Sequence, residues 1–267
     1  MSERTQRFRG AWVLLIPLLM LAWVALGNTA EDEGRPYRAL KGVEPGEEAE
    51  HLGRLMEEAY GTLRSEAFQE NLRALGERYP AIYARRGDQD ATADDLADYV
   101  ALERLGARFV NADVILVSNA VGYLGMAGQG PGEGRYSDIV LDSFVLRQWQ
   151  SADVVRRSCA INVAAHEYAH TISLMPFVYE PAFTDTRGDE FRIADRRDRS
   201  TPVASYLIGA VAQCTWLQRQ GRIGRAGVPA CVQVFGVASG SVARCDAFPG
   251  DTPVTERPGL PPLAPSL

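Results

Sequence analysis

Apolar positions recur along this chain in changing rhythms, and each rhythm predicts an element. Over residues 50–79 the rhythm is helical. Leu52, Leu55, Met56, Ala59 and Leu63 form one stripe, and Phe68, Leu72 and Leu75 form another, as expected of helices that each bury one face. Pro80 ends the run. A further helix is predicted from Thr92, whose hydroxyl can cap the amide of Asp95, with Leu96, Tyr99, Val100 and Leu105 following at helical intervals. The apolar positions then become contiguous. Val114, Ile115, Leu116 and Val117 predict a buried strand over 113–118, and Ile139, Val140, Leu141, Phe144 and Val145 predict a second over 136–146. Between them Gly122, Gly125, Gly128, Gly130, Gly132 and Gly134 contain neither G-x-G-x-x-G nor Gly-Lys-Ser/Thr. This stretch therefore reads as a connection between strands rather than a phosphate cradle, placed where it could be a flap at the rim of a cleft.

The last two helices read differently. Residues 151–174 form a predicted helix with Ser151 as N-cap, uncharged over 160–165 and over 168–177 apart from one histidine, and hence buried on most sides. Pro176 closes it. After an irregular polar stretch, Thr201-Pro202 opens a helix reaching residue 218, with Ala204, Leu207, Ile208, Val211, Ala212 and Trp216 on its apolar side. Helices, then a few strands, then helices give an α+β class with a small mixed sheet.

Length and composition set the frame. The chain has 267 residues, 46% of them hydrophobic, enough for one domain with appendages. A net charge of -6 argues against a nucleic-acid partner. Arg4, Arg7 and Arg9 precede an uncharged apolar run at 11–26. That is the pattern of an export signal, or, if uncleaved, of a single N-terminal membrane anchor with the remaining chain outside. The expected location is extracytoplasmic: periplasmic, secreted or anchored. Cys159, Cys214, Cys231 and Cys245 make an even set that suits an oxidising compartment. Four cysteines permit three pairings, and the one expected here is Cys159 with Cys214 and Cys231 with Cys245. The domain reading is thus a signal or anchor at 1–30, an acidic linker at 31–48, one domain at 49–247, and a proline-rich disordered tail at 248–267. Within the domain, 49–110 is the helical part and 111–247 the catalytic core.

The chemistry is carried by His166-Glu167-Tyr168-Ala169-His170, which reads H-E-x-x-H. On a helix the two histidines lie one turn apart on one face and can aim both imidazoles at one point. Two neutral imidazoles suit one Zn²⁺ ion, and the adjoining carboxylate can take a proton from water. The chain has 3 histidines, and the one outside this segment, His51, falls in an acidic helical stretch.

In this segment the chain resembles the zincin metallopeptidases, with apolar or uncharged residues at Val163, Ala164, Tyr168, Ala169, Thr171 and Ile172. The resemblance implies a zincin-like catalytic domain, His166 and His170 as zinc ligands and Glu167 as general base. It also implies an edge strand beside the cleft that pairs with extended peptide, and 136–146 is the segment at that place in the chain. A third ligand is expected. The positions where metzincins carry Gly and His are Ser173 and Pro176 here, and the helix at 201–218 lacks the glutamate of gluzincins. Thr184-Asp185, Gly188-Asp189 and Ser205-Tyr206 loosely resemble the aspzincin branch, although Phe183-Thr184 stands where that branch has Gly-Thr. By that likeness Asp185 is the third ligand, with Asp189, Glu180 and Glu190 as alternatives, and Tyr206 donates to the oxyanion.

The expected function is an exported zinc-dependent metallopeptidase, a hydrolase acting as an endopeptidase on peptides or proteins through a zinc-activated water with Glu167 as general base. The alternative is a non-catalytic exported protein whose metal is structural and which serves as a binding module.

Overall fold

The computed structural model describes residues 36–84, 91–102, 108–109, 112–118, 124–129, 137–173, 182–183 and 202–236. These belong to one compact unit that begins at Pro36. The expected signal or anchor and the proline-rich tail lie outside the described residues. Among the described residues no helix is long and apolar enough to cross a membrane.

The class is α+β, as the pattern predicts. Strand β1 (Ala39–Lys41) leads into helices α1 (Glu47–Leu63), α2 (Glu66–Arg73) and α3 (Ala93–Val100). Strands β2 (Arg108–Phe109), β3 (Asp113–Val117), β4 (Gly125–Gln129) and β5 (Ser137–Asp142) follow. Then come α4 (Ser143–Trp149), α5 (Val154–His170), β6 (Ile172–Ser173), α6 (Ala204–Arg219) and α7 (Val228–Gly236). The four-stranded sheet runs β1-β3-β5-β4. β1, β3 and β5 are parallel, with Leu40 opposite Val114 and Val114 opposite Ile139. β4 is antiparallel to β5, with Gly125 opposite Leu141. β2 and β6 form a separate antiparallel pair.

Caps explain several boundaries. Ser65 splits the predicted 50–79 helix by accepting from the Phe68 amide. Thr92 and Asp95 form the expected capping box of α3. At α5 the N-cap is Asp153, which accepts from the Val155 amide at 2.8 Å, and not Ser151. Ser151 Oγ instead accepts from the Asp153 amide and so orients the cap. The predicted 136–146 strand stops at Asp142, whose carboxylate accepts from the Phe144 amide and turns Phe144 and Val145 into α4.

Two further expectations are corrected. The predicted linker at 31–48 contains β1, a buried Tyr37 and the start of α1, because short apolar segments gain by pairing with an existing sheet. The glycine-rich connection contains β4, since glycine permits extended backbone as readily as a turn.

One hydrophobic core joins these elements. Leu55, Met56 and Leu63 of α1, Val114 and Ile139 of the sheet, Ile161 and Ala165 of α5, and Leu207 and Val211 of α6 are all fully buried. The helical part at 49–110 is therefore not a separate layer. Cys214 is disulfide-bonded to Cys231, which ties α6 to α7 and corrects the expected pairing. Cys159 is also disulfide-bonded.

Candidate metal centre

Helix α5 is buried at every residue from Ser158 to His170. Ser158, Asn162, His166 and His170 recur every fourth position and draw a polar line through an apolar helix. A buried polar line must be satisfied by its neighbours, and α6 supplies the partner for its first half. Asn162 Nδ2 donates to Gln213 Oε1 at 2.7 Å, and Gln213 Nε2 donates to Ser158 Oγ at 3.0 Å. This chain of amides fixes the register of α6 on α5.

The second half of the line holds the histidines. The Nε2 atoms of His166 and His170 lie 3.2 Å apart, and the rings meet nearly at right angles with centroids 4.8 Å apart. Two nitrogens bound tetrahedrally to one zinc at ordinary bond lengths would be separated by about 3.3 Å. The spacing therefore fits two ligands of one ion. His170 Nδ1 lies 3.1 Å from the carbonyl oxygen of Phe183. An N–H donated there places the proton on Nδ1 and leaves the Nε2 lone pair for a metal, the usual way a protein fixes the tautomer of a ligating histidine.

Glu167 is 3% exposed, and its Oε1 lies 3.9 Å from His166 Nε2. Its carboxylate packs on β4: a Cβ built on Gly125 would come within 2.8 Å of Glu167 Cγ and 2.9 Å of Cδ. Only glycine lets the edge strand approach so closely. Among the described residues, His166, Glu167 and His170 are the group able to hold a metal ion, with ligand atoms within 4.8 Å of one another. Two imidazoles and a carboxylate suit a borderline ion such as zinc.

Tyr206 of α6 lies against His166. Its ring is tilted against that of His166 at a centroid distance of 4.5 Å. One turn further along α6, Gly209 makes room for the contact between the helices. A Cβ there would lie 2.9 Å from the Asn162 backbone oxygen and 3.2 Å from His166 Cβ. Asp185, Asp189, Glu180 and Glu190 lie outside the described residues.

The strand beside Glu167 is β4. The segment expected there, 136–146, contributes β5, which is paired on both sides by β3 and β4 and so has no edge to offer. Gly125, Gly209 and the Phe183 carbonyl are contributors that sequence reasoning missed. A glycine inside an otherwise apolar helix is a signal for Gly209, since it costs about 1 kcal/mol unless packing requires it. A backbone carbonyl leaves no mark in a sequence.

Compared with known protein families, with characterised proteins and with solved structures, the chain matches none.

Proposed function

We propose that this chain is an exported zinc-dependent peptidase of the zincin type. One observation carries the reading: two buried Nε2 atoms stand at the separation expected of tetrahedral zinc ligands, with the Glu167 carboxylate beside them. His166 and His170 would hold the ion, with Asp185, two residues after Phe183 in the sequence, as the proposed third ligand. The disulfide between Cys214 and Cys231 and the signal-like N-terminus support export.

Zinc, when bound, would acidify a water molecule and polarise the substrate carbonyl. The residues of the chain do the rest. Glu167 accepts the water proton as the oxygen bonds to the carbonyl carbon, and later returns it to the amine nitrogen as the C–N bond breaks. Burial between α5 and β4 keeps bulk water from competing for that proton. Tyr206, anchored on the His166 ring, donates its O–H to the developing oxyanion. β4 offers backbone groups to an extended peptide, which is the substrate class this arrangement suits.

The test compares wild type with Glu167→Gln and Tyr206→Phe, reading both zinc content and cleavage of a mixed peptide library. Glu167→Gln should keep one zinc per chain and lose at least about a thousandfold in turnover. Tyr206→Phe should keep the metal and lose about tenfold to a hundredfold. Full activity in Glu167→Gln would overturn the mechanism. One tightly held zinc with no cleavage by wild type would favour the structural-metal reading instead.

A further inference from the structure

The Phe183 carbonyl that faces His170 Nδ1 belongs to a residue outside any helix or strand. Such a carbonyl points where its neighbours are fastened. The Ala182 amide donates to the Ile172 carbonyl at 2.7 Å, which brings the chain back to the end of α5. The Phe183 ring is fully buried and meets the Tyr99 ring of α3 edge to face, with centroids 5.7 Å apart and planes at 85°. Aromatic pairs favour this arrangement, so each ring biases the orientation of the other.

α3 is secured at both ends. It has 8 residues, too few for a helix to be stable by itself in water. Its capping box closes the first turn. The Arg64 guanidinium donates to the Val100 and Ala101 carbonyls at 3.2 and 2.8 Å, which satisfies the last turn. Arg73 of α2 donates to Asp98, the neighbour of Tyr99, at 2.8 Å. Leu96, Ala97 and Val100 are buried in the core, whereas Tyr99 is half-buried and lies against Phe183.

We infer that Tyr99 is a positioning residue for the metal centre. Its ring seats Phe183 so that the Phe183 carbonyl keeps the His170 proton on Nδ1 and leaves the Nε2 lone pair for an ion shared with His166. The line from Tyr99 through Phe183 to His170 joins α3, in the amino-terminal helical part, to a ligand carried by α5. That helical part then belongs to the metal-binding unit and is not a detachable leader. The metal rests on the reading of His166 and His170 as zinc ligands, whereas the hold on the His170 ring does not.

The first measurement needs neither metal nor catalysis. The full chain, stripped of metal and carrying nitrogen-labelled histidine, is studied by NMR above the pH at which imidazole ionises. His170 should show a single Nδ1–H tautomer in wild type. Tyr99→Leu, which keeps apolar bulk but loses the ring, should show both tautomers. Tyr99→Phe, which restores the ring, should show the wild-type signal. The second measurement is zinc affinity, by competition with a chelator. Tyr99→Leu should bind zinc about tenfold more weakly, as loss of a group that orients a ligand does, and Tyr99→Phe should stay within about twofold of wild type. Val232→Ala truncates a fully buried side chain of α7 and shows what lost stability does by itself. It should leave both readouts at wild-type values. An unchanged His170 tautomer or an unchanged zinc affinity in Tyr99→Leu would overturn the proposal, and so would equal weakening by Val232→Ala. Failure of the peptidase reading looks different: His170 and zinc affinity respond to Tyr99, yet no peptide is cleaved. Cleavage that depends on Glu167, in a chain whose His170 ignores Tyr99, would remove the positioning role and leave the peptidase.

Discussion

At the scale of single residues, the candidate metal centre depends on what is missing as much as on what is present. His166 stands where it does because Gly209 brings α6 against α5, and because Tyr206 then covers the imidazole. Gly209→Ala sets two effects against each other. Alanine favours the helix by about 1 kcal/mol. Its methyl group would also press on the Asn162 backbone oxygen and on His166 Cβ, and overpacking of this kind costs about 1–3 kcal/mol. Backbone oxygen cannot swing aside as a side-chain tip can, so the clash should win. We expect Gly209→Ala to lower stability by about 1–2 kcal/mol and to weaken zinc binding by at least tenfold. Gly61→Ala supplies the contrast, since that glycine lies exposed within α1 with nothing near its missing methyl group. It should raise stability by about 0.5–1 kcal/mol and leave zinc binding unchanged. Denaturant melts of metal-free protein, followed by zinc titration, check both signs. A Gly209→Ala variant as stable and as tight as wild type would mean that the helices can separate without cost.

At the scale of elements, α6 is held on three sides: by α5 through Gln213, by α2 through Asn71, which donates to Thr215 and Gln218, and by α7 through the Cys214–Cys231 disulfide. That disulfide spans 17 residues, and a loop of this length stabilises by about 3 kcal/mol when closed. Replacing both cysteines by alanine should lower the unfolding free energy by about 2–4 kcal/mol, measured by denaturant titration of metal-free protein. A change below about 0.5 kcal/mol would show that packing alone seats α7. The elements also show what a sequence can convey. Periodic stretches with strong caps, such as α3 behind Thr92, were legible, as was β3 with its four contiguous aliphatic residues. The histidine pair was legible because helical geometry alone sets its spacing. β1 was not legible, because three residues carry no period and the sheet supplies the reason for pairing. β4 was hidden by its glycines, which score as turn formers yet here allow approach to Glu167. α4 was hidden because Asp142 ends a strand and caps a helix within two residues. The Cys214–Cys231 link needed the packing of α6 on α7, which residue spacing does not encode.

At the scale of the whole molecule, the first described residues bind to elements far from them in the sequence. Pro36 offers its carbonyl to the buried Tyr168 hydroxyl of α5 at 3.0 Å. Arg38 then clamps Asp113 at the start of β3 with two bonds of 2.6 and 2.7 Å, and Lys41, the chain's sole lysine, adds a third. Asp113 is 1% exposed. Its hydrogen bonds to Arg38 outweigh the cost of burial, and with Lys41 they hold its pKa down at about 2. A carboxylate with a folded pKa below its unfolded value stabilises the fold fully above the unfolded pKa. That contribution fades as the pH falls from about 4 through about 2. Because Arg38 and Lys41 remain partly in water, the contribution at neutral pH is on the order of 1–2 kcal/mol. Asp113→Asn should therefore cost about that much at pH 7 and little near pH 2, so the two stability curves converge in acid. The measurement belongs on metal-free protein, because acid also protonates the histidines and would release an ion for unrelated reasons. If the gap between wild type and Asp113→Asn stayed constant from pH 7 to pH 2, the loss would come from packing and not from charge. If it closes, the ion cluster is what seats the N-terminal strand against the sheet, and residues from Pro36 onward belong to the folded domain that positions Tyr168 and its neighbouring histidines.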